Sequence, residues 1–138
     1  MVATLGVWGP GDIVGKPLSQ FKLYQVECLT SVKVRNLSFQ GDRLQDAMLS
    51  HIRQMEELLN IMHCKLVSLR LLKFLNWLVY RFGREVDQGW LLDLRLTHQA
   101  ISEITGTSRV TVTRLLNQFE QEGKLMRLPQ SRILLQDF

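Results

Sequence analysis

Residues 97 to 116, THQAISEITGTSRVTVTRLL, carry the side chains whose types and spacing suit chemistry on a nucleic acid. Ser108 is placed to cap a helix in which Val112, Leu115, Leu116 and Phe119 recur at i, i+3, i+4 and i+7 as a buried stripe. The opposite face then presents Arg109, Val110, Thr113, Arg114 and Asn117 in its first turns. Guanidinium forks match the O6 and N7 acceptors of guanine or a phosphate, and an exposed aliphatic group packs on a thymine methyl. Arg109, Val110, Thr113 and Arg114 are therefore the candidate base readers. Thr97, Gln99, Ser108 and Thr111, near the two helix N-termini, suit phosphates, because the terminal amides there already favour an anion.

A supporting helix must hold that reading helix. Thr97 is its N-cap, Ile101 and Ile104 face inward, and Ser102 is small enough for the second helix to approach closely. Gly106 supplies the turn, which completes the grammar of a helix-turn-helix. Gly123 ends the second helix, and Leu125 to Leu128, a turn at Pro129 to Ser131 and Arg132 to Gln136 follow as a hairpin wing. Lys124, Arg127 and Arg132 in this wing are phosphate contacts or ordinary solvated strand residues. Upstream, Val67 to Arg81 reads as a helix with Leu71, Phe74, Leu75, Leu78 and Phe82 buried and Gly83 as C-cap; Trp90 to Leu96 alternates like a half-buried strand after a D-Q-G turn.

From about Asp42 to Leu69 the apolar residues Met48, Ile52, Met55, Leu59, Met62 and Leu66 recur at alternating spacings of four and three. This heptad seam predicts a helix paired with a copy of itself; the rival is a long helix packed on its own sheet. A break near His63 to Lys65 separates it from the next helix. Residues 1 to 40 read as short strands at Leu5 to Trp8, Phe21 to Thr30 and Val32 to Ser38, with a G-P-G-D turn at Gly9 to Asp12.

The chain has 138 residues, 46% of them hydrophobic and 22% charged, which excludes an intrinsically disordered chain and a large enzyme. Its formal net charge of +4 lies entirely downstream, since residues 1 to 62 hold six basic and six acidic side chains and the remainder eleven and seven. Leu66 to Phe82 carries Arg70, Lys73 and Asn76, so no uncharged run of roughly 18 residues spans a bilayer. MVATLGVWGPGD lacks the basic and long apolar regions of a secretion signal, and a cytoplasmic location is expected. Cys28 and Cys64, without a C-x-x-C pair, are expected as reduced, buried thiols. His51, His63, Cys64 and His98 lack metal-ligand spacing, Glu56 and Glu57 diverge on a helix, and no nucleophile, base and orienter triple is present; no metal, cofactor or catalytic activity is expected. His98, beside the first cap, stands within reach of a phosphate.

With strand, helix-turn-helix and wing in this order behind a long helix, the sequence resembles the Crp/Fnr family of bacterial transcription regulators over nearly its full length. LLKFLNWLVYRFG, LDLRLTHQAISE and TSRVTVTRLL look like the cyanobacterial global nitrogen regulator branch, whose recognition helix carries the same RVTVTRLL run. The resemblance implies an α+β fold in three parts: a truncated β-roll remnant at 1–40, a dimerisation helix at 41–65 and a winged helix-turn-helix at 66–138. It implies a homodimer on double-stranded DNA with a GTA…TAC palindrome, read by Arg109, Val110 and Arg114, and RNA polymerase as a further partner. A mixed dimer with a full-length paralogue through the Met48 to Leu69 seam is the alternative. GPGDIVGK resembles the family's G-D-x-x-G-E turn, but Lys16 replaces the Glu that holds a cyclic nucleotide's ribose, and KPLSQFKLYQVE lacks the Arg-Ser or Arg-Thr pair that holds its phosphate. No cyclic nucleotide binding is expected, and neither a 2-oxoglutarate site nor an iron–sulfur cluster is carried over.

Overall fold

The computed structural model describes residues 4–15, 18–37 and 42–136, so Lys16 and Ser38 lie outside the described residues. Contacts divide the chain into two units, one spanning Leu5–Leu59 and the other beginning at Asn60. The helix α1, Asp42–Met62, crosses that divide. After it come α2 (Val67–Phe82), β1 (Arg84–Val86), β2 (Gly89–Leu92), α3 (His98–Thr105), α4 (Arg109–Gln121), β3 (Leu125–Leu128) and β4 (Arg132–Leu135). The fold class is α+β, and among the described residues no helix is long and apolar enough to cross a membrane.

In the first unit the leading segment is tied to α1 by side chains. The Val7 amide donates to Gln54 Oε1 at 2.9 Å, and the Trp8 ring stacks on His51 with centroids 6.1 Å apart. Gly6 permits this approach, since a Cβ there would stand 2.8 Å from both Gln54 Oε1 and the Trp8 ring. The Gly9 to Asp12 turn closes with the Asp12 amide on the Gly9 carbonyl at 3.0 Å. The strands expected at 5–8, 21–30 and 32–38 are a correction: among the described residues of 4–37 none forms. Phe21, Leu23, Val26, Val32 and Val34 are exposed in that stretch. A period-two pattern states only a preference for a ladder, and the ladder needs a neighbouring strand to satisfy it. Cys28 shares this exposure and Cys64 is half-buried, so the thiols are free but not the buried pair expected.

The α1 helix has two apolar faces. Ala47, Leu58 and Ile61, with the polar Gln54, are buried, whereas Met48, Ile52, Met55 and Leu59 remain 40–59% exposed and Met62 is intermediate. The heptad seam therefore lies on the face the single chain leaves open.

In the second unit, Leu71, Phe74, Leu75, Leu78 and Val79 of α2 are fully buried. Phe82 is only half-buried; it sits edge-on to Trp77 at 6.4 Å, with the Arg81 guanidinium over both rings. Gly83 ends the helix by lack of bulk rather than by a left-handed turn: its φ is −73° and a Cβ would lie 2.5 Å from the Val79 carbonyl oxygen. The sheet has the order β1-β2-β4-β3, antiparallel throughout. The expected strand from Trp90 to Leu96 stops at Leu92, which pairs with Ile133, because beyond Arg132 the partner strand runs into its turn. In that turn, a three-residue loop of Pro129, Gln130 and Ser131 between the paired Leu128 and Arg132, Gln130 and Ser131 both take positive φ, 65° and 59°.

Candidate nucleic-acid interface

Local capping builds both helices of the motif. Thr97 Oγ1 accepts from the Ala100 amide at 3.0 Å, and Ser108 Oγ accepts from the Thr111 amide at 3.1 Å. Between them Gly106 takes the left-handed conformation, φ 65°, at which a Cβ is disfavoured. Ile101 and Ser102 are buried, with the Ser102 hydroxyl donating to the Gln99 carbonyl at 2.7 Å; Ile104 is only half-buried. On α4, Val112, Leu115, Leu116 and Phe119 are at most 2% exposed.

Burying that stripe turns the other face outward. Arg109, Val110, Thr113, Arg114, Asn117, Gln118 and Gln121 line one open groove along α4, and Val110 is 78% exposed. Gln118 and Gln121 were not singled out by sequence; continuing the helical period one turn past Arg114 and one turn past Asn117 finds them. Among the described residues neither the Arg109 nor the Arg114 guanidinium has a hydrogen-bond or ion-pair partner. An unpaired guanidinium keeps all its donors for an incoming acceptor.

Thr113 lines the groove with the other expected readers and also makes internal bonds. It is half-buried, its hydroxyl donates to the Arg109 carbonyl at 3.0 Å, and its oxygen lies 2.7 Å from His98 Nδ1. The single hydroxyl proton being used, Nδ1 must carry the proton that joins them, which fixes the neutral tautomer with Nε2 as acceptor. Burial pushes the His98 pKa below the usual 6.5, with help from the Arg127 and Arg109 charges. This bond ties α3 to α4.

Of the expected phosphate contacts, Thr97, Ser108 and Thr111 stand at the two helix starts, with Ser108 and Thr111 hydroxyls 2.8 Å apart. Gln99 spends its amide on Glu103 at 2.9 Å. The wing cations are not free. Arg127 donates to Glu120 Oε2 through Nε at 3.0 Å and Nη2 at 2.7 Å, while its backbone amide donates to Glu120 Oε1 at 3.0 Å. Lys124 pairs with Glu122 at 2.6 Å, and the Arg132 guanidinium donates to the Pro129 carbonyl at 3.0 Å. Hydrogen bonds from Arg127, the backbone one foremost, hold Glu120 below the ordinary carboxylate range. Sequence inspection missed Glu120, since nothing in its spacing marks a partner seven residues on. No group of three potential metal ligands exists among the described residues.

Residues 69–138 match the Crp-like helix-turn-helix domain family. The regulatory protein CysR of Synechococcus elongatus is 40% identical over 134 residues, 95% of this chain and 65% of its own length. The global nitrogen regulator of the same organism is 40% identical over 84 residues, 61% of this chain and 37% of that protein. The chain thus spans less than two thirds of these relatives. Among solved structures, a CooA mutant from Carboxydothermus hydrogenoformans superposes with a TM-score of 0.58 at 34% identity, over 69% of this chain and 42% of that one. A CRP-family transcriptional regulator from Thermus thermophilus has the same fold, with a TM-score of 0.59 at 19% identity over 69% of this chain and 48% of that one.

Proposed function

The chain belongs to the Crp-like helix-turn-helix family of the Crp/Fnr regulators, and from that premise we propose that it reads a two-fold symmetric duplex DNA site as a homodimer and regulates transcription there. The observation that carries this reading is the outer face of α4, where two guanidiniums without partners flank a Val110 that is 78% exposed. Arg109 and Arg114 supply donors for guanine edges or phosphates, and Val110 supplies an apolar contact for a thymine methyl. Thr113 lines the same face and also holds α4 against α3 through His98. Thr97, Ser108 and Thr111, with the amides at both helix starts, grip phosphates and set register.

Dimerisation through the Met48, Ile52, Met55, Leu59, Met62 and Leu66 seam would double the reading face and match a palindrome. Support comes from the exposure of four of those residues on a helix whose other face is already buried. The same exposed stripe accepts any helix with matching spacing, which favours a mixed dimer with a longer homologue as the second reading. Fluorescence anisotropy with a GTA…TAC palindrome and a scrambled duplex, titrated over several salt concentrations, tests the proposal. Preference for the palindrome by the protein alone supports it; preference only after mixing with a longer homologue supports the second reading, and equal, salt-sensitive binding to both duplexes refutes sequence reading.

A further inference from the structure

The two basic surfaces of the second unit differ in how their charge is held. Arg109 and Arg114 are unpaired, but Arg127 is tied three times to one carboxylate, Glu120, on the last full turn of α4. The fork and the backbone amide converge on both oxygens of that group, so the bond fixes the start of the wing as well as the guanidinium. The clamp also holds Arg127 at the end of the reading helix, since Glu120 is followed by Gln121, which lines the α4 groove. A cation in that place would meet the phosphate backbone if it were free.

We propose that Glu120 is a specificity-determining residue: it withholds the Arg127 fork from phosphate, so that affinity for duplex DNA comes from the reading face of α4 rather than from an indiscriminate grip by the wing. The inference rests on the duplex-reading role proposed above. Phosphate contacts raise affinity for every sequence alike, whereas base contacts separate one sequence from another. Neutralising one wing cation internally lowers the first and leaves the second.

The test is Glu120→Gln, which removes the charge and keeps the shape, assayed by anisotropy on palindromic and scrambled duplexes across a salt series. Release of one guanidinium to phosphate steepens the plot of log affinity against log salt by about 0.9, which is about threefold in affinity over a fourfold range of salt. Affinity for the scrambled duplex should rise at low salt, and the palindrome-to-scrambled ratio should fall. In an Arg127→Gln background the same Glu120→Gln change should no longer steepen the slope; persistence there would mean that the carboxylate acts through space and would overturn the assignment. Amide exchange at Arg127, measured without DNA, should quicken in Glu120→Gln, and unchanged exchange overturns the clamp itself. Wild-type protein that prefers neither duplex defeats the duplex-reading role; wild-type preference with an unaltered Glu120→Gln slope defeats the Glu120 assignment alone.

Discussion

Two helices of this chain, α1 and α4, each bury one face and expose another, and the exposed faces are chemically opposite. That of α4 is polar and cationic, with unpaired Arg109 and Arg114, whereas that of α1 is an apolar row of Met48, Ile52, Met55 and Leu59. An unpaired guanidinium is stable in water and keeps its donors for an anion, so the α4 face fits a partner rich in acceptors. An exposed apolar row loses nothing in hydration when covered, so the α1 face fits another apolar helix. Burial pattern alone does not distinguish the two helices; the chemistry of what is left outside does.

The largest expected effect lies on the hidden side of that comparison. Leu116→Ala, at 1% exposure, should cost about 2–5 kcal/mol of stability by urea denaturation, and at permissive temperature leave the palindrome-to-scrambled ratio intact. A changed ratio would show that the two faces of α4 are not separable. Met55→Glu should convert dimers to monomers in ultracentrifugation, because the seam would bury an unpaired carboxylate, while monomer stability hardly moves at a residue 40% exposed. A variant that stays dimeric ends the parallel between the two exposed faces. Arg114→Ala should lose about 1–3 kcal/mol on the palindrome and much less on random duplex, and an equal loss on both would make it a phosphate contact.

The smallest effect concerns the joint between α3 and α4. His98 has a folded pKa below its unfolded value near 6.5, so the unfolded chain binds the extra proton. The neutral side chain's contribution is full above that value and declines as pH falls below it. Wild-type melting temperature should therefore drop more between pH 7 and pH 5 than that of His98→Asn. Parallel melting curves would remove His98 from the joint.

The helix-turn-helix was legible because its signals are local. Thr97, Gly106 and Ser108 act on residues within a turn of themselves, and the stripe from Val112 to Phe119 needs only the helical period. The links from Glu120 to Arg127 and from His98 to Thr113 were not legible, since they exist only once the wing and the first helix have folded against α4. The short, polar β1 carried no pattern to detect. Phe21 to Leu37 erred in the other direction: its alternation was clear, but a strand is a property of two segments and one sequence run cannot supply both.

The wing tip carries a consequence for engineering. Gln130 and Ser131 both hold positive φ without the Asn or Gly that adopts it readily, and left-handed backbone costs roughly 1–2 kcal/mol per ordinary residue. Exchanging the pair for Asn-Gly would relieve that cost while keeping the register in which Leu128 faces Arg132. The hairpin is thus a reservoir of stability that a designer can draw on without altering either surface by which the protein would meet a partner.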